Sequence, residues 1–117
     1  MTDQHIDLPQ GTLDLLILRT LALGPQHGWA ISERVQQVSS DVLKIQQGSL
    51  YPALQRLLKT KMVRAEWTIS SSTHRRVRVY EITKSGLRHL EREMSRFDRM
   101  LEGIQMVLGP DRSAANS

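Results

Sequence analysis

The sequence predicts a mainly α (α+β) fold: three short helices, a two-stranded hairpin, then one long C-terminal helix. Three observations carry that reading. Apolar residues recur at helical spacing in three stretches before residue 60, the period changes to alternation in two runs between Val63 and Ile82, and seven apolar residues from Leu87 to Leu108 return at intervals of three and four. A chain of 117 residues has room for one modest core. Hydrophobic residues at 39% and charged residues at 24% are an ordinary globular composition. No apolar run is long enough to span a membrane and the first ten residues lack a signal-type apolar stretch, so a cytoplasmic location is expected. The absence of cysteine excludes disulfides, thiolate metal sites and a cysteine nucleophile.

The first helix is predicted from Gly11 to Leu23, with Thr12 as N-cap and Asp14 in the first turn. Leu13, Leu15, Leu16, Ile17, Leu18 and Leu21 make it apolar nearly all round, so it must be covered on several sides. Gly24-Pro25 ends it. A second helix runs from His27 to about Val38, with Trp29, Ala30, Ile31, Val35 and Val38 inward. The third, from Gln47 or Gly48 to Lys59, turns Leu50, Leu54, Leu57 and Leu58 inward and accommodates Pro52 in its first turn. Its opposite face carries Tyr51, Gln55, Arg56 and Lys59, groups suited to base edges and phosphates.

In the first strand Val63, Ala65, Trp67 and Ile69 alternate with polar residues, which places Trp67 in the packed side of the hairpin. The second strand runs from Arg76 to Ile82. Between them Ser70 to Thr73, then His74, Arg75 and Arg76, with Arg78 close behind, read as a polar tip with paired arginines, a wing able to lie along a phosphate backbone or in a minor groove. Without Gly or Pro, that turn is expected to be loose. From Thr83 as N-cap, the last helix extends to Leu108, roughly 37 Å at the usual rise per residue. Its seam, Leu87, Leu90, Met94, Phe97, Leu101, Ile104 and Leu108, is longer than so small a domain can cover, and predicts a homodimer. Met94, Phe97 and Met100 are candidates to line an effector pocket there.

Charge supports a polyanion partner. Residues 46–88 hold nine basic and two acidic groups, while the segments on either side are slightly acidic. The four histidines share no ligand spacing on one helix, so no metal or other cofactor is expected, and no nucleophile or acid–base constellation points to an enzyme. Element order and charge together predict a winged helix-turn-helix DNA-binding domain over residues 1–83, a dimerisation helix over 84–108 and a disordered tail over 109–117. A coiled-coil protein-interaction module without specific DNA binding is the alternative.

The segments Gly11 to Leu18, Leu23-Gly24-Pro25 with His27-Gly28, Gly48 to Leu54 with Arg56-Leu57, and Tyr80 to Thr83 with Gly86 resemble the PadR family of bacterial transcriptional regulators, in its short form with a single C-terminal helix. The resemblance covers roughly residues 8–108. It implies a homodimeric repressor that binds a pseudo-palindromic operator in double-stranded DNA and is released by a small-molecule effector or another signal. It further implies that Ser49, Tyr51, Pro52, Gln55 and Arg56 lie near the bases, flanked by Gln46, Gln47 and Lys59. His27 and Gly28 would then sit over the backbone, and Thr73, His74, Arg75 and Arg76 would touch backbone or minor groove. Lys61 stands where such proteins often have Gly, and Val77 splits the basic run after the wing.

Overall fold

Residues 7–109 are described by the computed structural model, so all of the expected tail except Gly109 lies outside the described residues. The order is α1 (Gln10–Ala22), β1 (Gln26–His27), α2 (Gly28–Val38), α3 (Gln47–Lys59), β2 (Val63–Ile69), β3 (Arg76–Ile82) and α4 (Lys84–Leu108). The predicted α+β architecture is therefore present, with one addition. A two-residue strand, β1, pairs antiparallel with β3, so the hairpin is part of a three-stranded sheet in the order β1-β3-β2. Two residues are too short to leave a period in a sequence.

Helix α1 is the centre of the core. Leu13, Ile17, Leu18 and Leu21 are buried, and Leu15 and Leu16 are half-buried. It starts earlier than its sequence cap implied. Pro9 holds the N-cap position with no side-chain cap, and Thr12 lies inside the helix. A proline at the entry presets φ and has no N–H to leave unpaired, which does part of a cap's work. Gly24, at φ 150°, then turns the chain into β1.

Helix α2 begins at Gly28, because the backbone of His27 is engaged opposite Val79 in the sheet. Its inward strip is Gly28, Ile31, Ser32 and Val35, spaced by three and four. Trp29, one residue and about 100° off that strip, is 44% exposed, and Val38 lies beyond the end of the core, so neither packs inward as expected. The connection to α3 is tightly specified. Ser40 and Asp41 both take left-handed φ values, the Ser39 hydroxyl accepts from the Leu43 N–H at 3.0 Å, and the buried Ser32 hydroxyl donates to the Ile45 carbonyl at 3.0 Å.

In α3, Leu50, Leu54 and Leu57 are buried as the pattern requires, Ala53 is buried beside them, and Leu58, expected inward, is only half-buried. Pro52 is the sixth residue of the helix, beyond the first turn where the sequence placed it. The N–H it lacks would have met the carbonyl of Gly48, which is exposed and open to water. Lys61 holds the left-handed turn after α3, φ 63°, a conformation that glycine adopts without strain.

The first turns of α4 are built into the body. Thr83 caps the helix by accepting the Gly86 N–H at 3.0 Å, while its hydroxyl donates to the Lys61 carbonyl at 2.7 Å and its own N–H to the Met62 carbonyl at 3.0 Å. Leu90 is 4% exposed inside the same core, which removes it from the seam available to a partner. Beyond it Met94, Leu101, Ile104 and Leu108 are exposed, as is Leu87 before it, and Phe97 is half-buried.

The close approach at Gly86 is testable. A Cβ there would fall on the Met62 carbonyl oxygen and within 2.7 Å of Ile82 Cγ1, whereas a Cβ at Gly103 meets nothing within 4 Å. Gly86→Ala is expected to lower stability by about 1–3 kcal/mol or more. Gly103→Ala, in an open helix interior, should raise it by about 0.5–1 kcal/mol. Urea unfolding of the two variants checks this, and equal midpoints would contradict the packing of α4 on the α3–β2 turn.

Candidate nucleic-acid interface

One side of the molecule presents the outer face of α3 together with the wing. On α3, Gln47, Ser49, Tyr51, Pro52, Gln55 and Lys59 are exposed, with Gln46 exposed at the N-cap position. A helix that buries one strip must show the opposite strip to solvent, and this one shows amides, a phenol and cations. Tyr51 is held by its neighbour. A Cβ on Gly28 would lie 3.0 Å from Tyr51 Cε1 and 3.3 Å from its hydroxyl oxygen, so the buried Gly28 is the floor on which the ring rests. This explains Gly28 more directly than a backbone contact of its own.

Arg56 is placed differently from its neighbours. Its Nη2 donates to Asp14 Oδ1 at 2.8 Å, an ion pair between α3 and α1 with both side chains about a third or less exposed. Asp14, read from the sequence as a helix-dipole residue, is thus the partner that fixes Arg56.

The wing tip is hydrogen-bonded rather than loose. The Ser70 N–H donates to the Arg75 carbonyl and the His74 N–H to the Ser70 carbonyl, both at 2.8 Å, and the Thr73 and Ser70 hydroxyls accept from Arg75 and Thr73 N–H groups. Short hydroxyl side chains bond the local backbone and so replace Gly or Pro. His74 takes φ 58°, and Thr73, His74, Arg75 and Arg76 are all exposed.

The register of the ladder decides what lies behind the tip. Val63 faces Ile82, Ala65 faces Tyr80, Trp67 faces Arg78 and Ile69 faces Arg76. These pairs share one face of the sheet, since side chains alternate along each strand. Val63 and Tyr80 are buried, but the core ends there, and Trp67 is 57% and Ile69 60% exposed. Trp67 is therefore not core packing, as its place in the alternation implied. Its ring lies under the guanidinium of Arg76 at 4.8 Å and near that of Arg78 at 5.8 Å. Arg78 is also 5.8 Å from the Tyr80 ring. Arg78 and Lys59, with Pro52, Gln55, Arg56 and Leu58, line an open cleft of about 580 Å³ between α3 and the root of the wing.

Sequence reasoning set Arg78 close behind the wing arginines but did not bring it to α3, and it missed Trp67 and Asp14 as parts of this surface. The signal for Trp67 and for the place of Arg78 opposite it was available, because counting outward from buried Val63 shows that the inner face outruns the core. Nothing in the sequence paired Asp14 with Arg56, 42 positions away. Of the three residues proposed for an effector pocket, Phe97 and Met100 line a groove of about 270 Å³ with Pro9, Gly11, Thr12 and Leu15 of the α1 entry, and Met94 is not part of its lining.

Comparison with known proteins identifies the family and the fold. Residues 17–92 match the transcriptional regulator PadR-like family. A PadR family transcriptional regulator of Eggerthella lenta superposes with a TM-score of 0.73 at 26% identity, over 86% of this chain and 85% of that one. Bacillus subtilis PadR, solved in complex with operator DNA, superposes with a TM-score of 0.65 at 23% identity, over 74% of this chain but only 48% of its own length. An uncharacterized 37.1 kDa protein of transposon TN4556 in Streptomyces fradiae is 37% identical over 97 residues, and this chain spans 26% of it.

Burial pushes the Tyr80 phenol above its ordinary value of 10.0, with Arg78 opposing the shift and Tyr51 adding to it. The neutral phenol is the form the fold favours, so its contribution is complete below pH 10 and is lost as pH rises from the unfolded value through the higher folded one. Stability measured by urea unfolding should fall over that range, and more steeply than in Tyr80→Phe. Parallel profiles for the two proteins would contradict the placement of Tyr80.

Proposed function

The chain belongs to the PadR-like family of transcriptional regulators, and from that premise we propose that it is a homodimeric, cytoplasmic repressor. It binds a pseudo-palindromic operator in duplex DNA and is released by a small molecule or another signal. The observation that carries this reading is the joint surface of α3 and the wing, with Tyr51, Gln55 and Lys59 exposed on the helix, Arg75 and Arg76 exposed on the hairpin, and half-buried Arg78 lining the cleft between them. The helix is the right shape for a major groove, and the wing for the adjacent backbone or minor groove. The operator complex of Bacillus subtilis PadR, a protein of the same fold, supports the same partner.

Within that surface the roles divide by chemistry. Tyr51, Gln55 and Ser49 read base edges, since phenol, amide and hydroxyl groups can both donate and accept. Gln46, Gln47 and Lys59 contact backbone at the two ends of α3, and Thr73, His74, Arg75 and Arg76 contact it from the wing. Arg56 supports α3 through Asp14.

The dimer rests on α4. Leu87, Met94, Leu101, Ile104 and Leu108 form an exposed apolar row on a helix roughly 37 Å long, and burying such a row is the ordinary reason two helices pair. No described helix is long and apolar enough to cross a membrane. Phe97 and Met100, at the α1–α4 groove, are the side chains through which an apolar effector would be sensed.

Selection from a random duplex pool should return an inverted repeat. On that sequence Tyr51→Ala and Gln55→Ala should each weaken binding by about 5- to 150-fold, corresponding to 1–3 kcal/mol of base discrimination, while leaving affinity for random DNA nearly unchanged. Arg75→Ala with Arg76→Ala should weaken both kinds of binding and reduce the salt slope by about two. Enrichment of no sequence, with affinity insensitive to salt, would sink the DNA-binding reading. Leu101→Asp should convert a dimer to a monomer in sedimentation equilibrium, and a wild-type monomer would sink the dimer.

A further inference from the structure

Among the described residues, two buried side-chain nitrogens have no hydrogen-bond partner, Nε of Arg56 and Nε of Arg78. Both residues line the same cleft between α3 and the root of the wing, and Lys59 lines it too. Buried donors are normally satisfied, so two orphans on side chains that line one cleft point to an acceptor that seats beside them. No acidic side chain lines that cleft.

We propose that this cleft is a seat for a single phosphate group, gripped by Arg78 and Lys59 with Arg56 behind them. In the bound state the group is a phosphodiester of the DNA backbone that ties the wing to the recognition helix. The second part rests on the DNA-binding reading above, while the anion chemistry of the seat does not.

Three features favour phosphate. A guanidinium has five N–H donors in a planar fork that matches phosphate oxygens. The rings of Trp67 and Tyr80, each 5.8 Å from Arg78, orient its guanidinium, which also hydrogen-bonds the Tyr80 side chain, while Nε stays unpaired. Arg56 is fixed in the same way by a different device, because Asp14 takes Nη2 and leaves Nε unpaired. The cleft's location supplies the third feature. If α3 occupies a major groove and the wing the neighbouring minor groove, the backbone strand dividing the two grooves must pass between them, where Arg78 and Lys59 are.

The arginine side-chain Nε–Hε resonances of the labelled full chain give a direct test, with Arg78 assigned through Arg78→Lys. Inorganic phosphate and a selected duplex are titrated separately at constant ionic strength. Both are expected to shift the Arg78 and Arg56 signals, and Arg78→Met should abolish the phosphate response and lower the duplex salt slope by about one. Arg78→Lys should keep the slope but weaken the phosphate response, which separates loss of the fork from loss of charge. Arg88→Met, on exposed α4 outside the cleft, should change neither readout.

Shifts with the duplex alone would support the seat as one completed only by DNA. Shifts with phosphate alone would overturn its role in DNA binding and leave a free-anion site. If the duplex binds tightly while neither signal moves and Arg78→Met keeps the full slope, the seat is overturned and the DNA-binding reading stands. If the duplex does not bind the wild-type chain, that reading fails, and the phosphate titration still decides the seat.

Discussion

Burial of α1 is the constraint on which the other elements depend. The helix packs against α2, α3, α4 and β3, and its Ile17, Leu18 and Leu21 are at most 1% exposed. Full burial of such side chains is worth roughly 1.5–3 kcal/mol each, a large share of the net stability of so small a domain. The elements that carry function attach to it from different sides. Helix α3, the proposed DNA-reading element, lies against α1 and is tied to it by Arg56 and Asp14, and the foot of α4 closes over another side through Leu90. The orientation of α3 relative to α4 is thus set by a rigid helix between them, which contacts both.

A second constraint, the two-residue period of the β2–β3 ladder, carries one face from the core out to the exposed surface of the proposed interface. The period does not stop where the core does. Val63, Ala65 and Tyr80 serve packing, and the next residues on the same face, Trp67, Arg78, Ile69 and Arg76, are carried out beside α3. An aromatic residue at Trp67 is useful there because it covers cationic side chains with a polarisable face and consumes none of their N–H donors. The same alternation makes Trp67 look like core in the sequence and an arginine shelf in the structure.

Where the sequence was legible, the reason was a long, regular period. The cap at Thr83, the inner face of α3 and the span of α4 all follow from local spacing, and all three are present. Legibility failed where a distant contact overrode a local signal. His27 looked like the start of a helix but was claimed by β3, Thr12 looked like a cap but Pro9 began the helix, and Leu90 fitted the heptad seam but is held in the protomer core. In the candidate site the residue types on α3 were readable, because an amphipathic helix announces its outer face. The cleft was not, since it depends on Arg78 meeting α3 across the fold.

The loss of Leu90 from the seam sharpens the argument for pairing through α4. A seam shared by core and interface has a foot that cannot slide, because Thr83, Gly86 and Leu90 fix the first turns of the helix to the body. What remains exposed, from Met94 to Leu108, projects from that fixed foot, so the direction of the free part is set by the protomer and not by its partner. A dimer joined through such a row inherits that direction on both sides. The separation of its two α3 helices is then a property of the folded protomer, written in the angle between α4 and α1. This is the condition for reading two half-sites about one helical turn, roughly 34 Å, apart. Flexible dimer arms would tolerate variable spacing, whereas a foot anchored by a buried leucine and a capped first turn ties the proposed operator's geometry to the same contacts that hold the small core together.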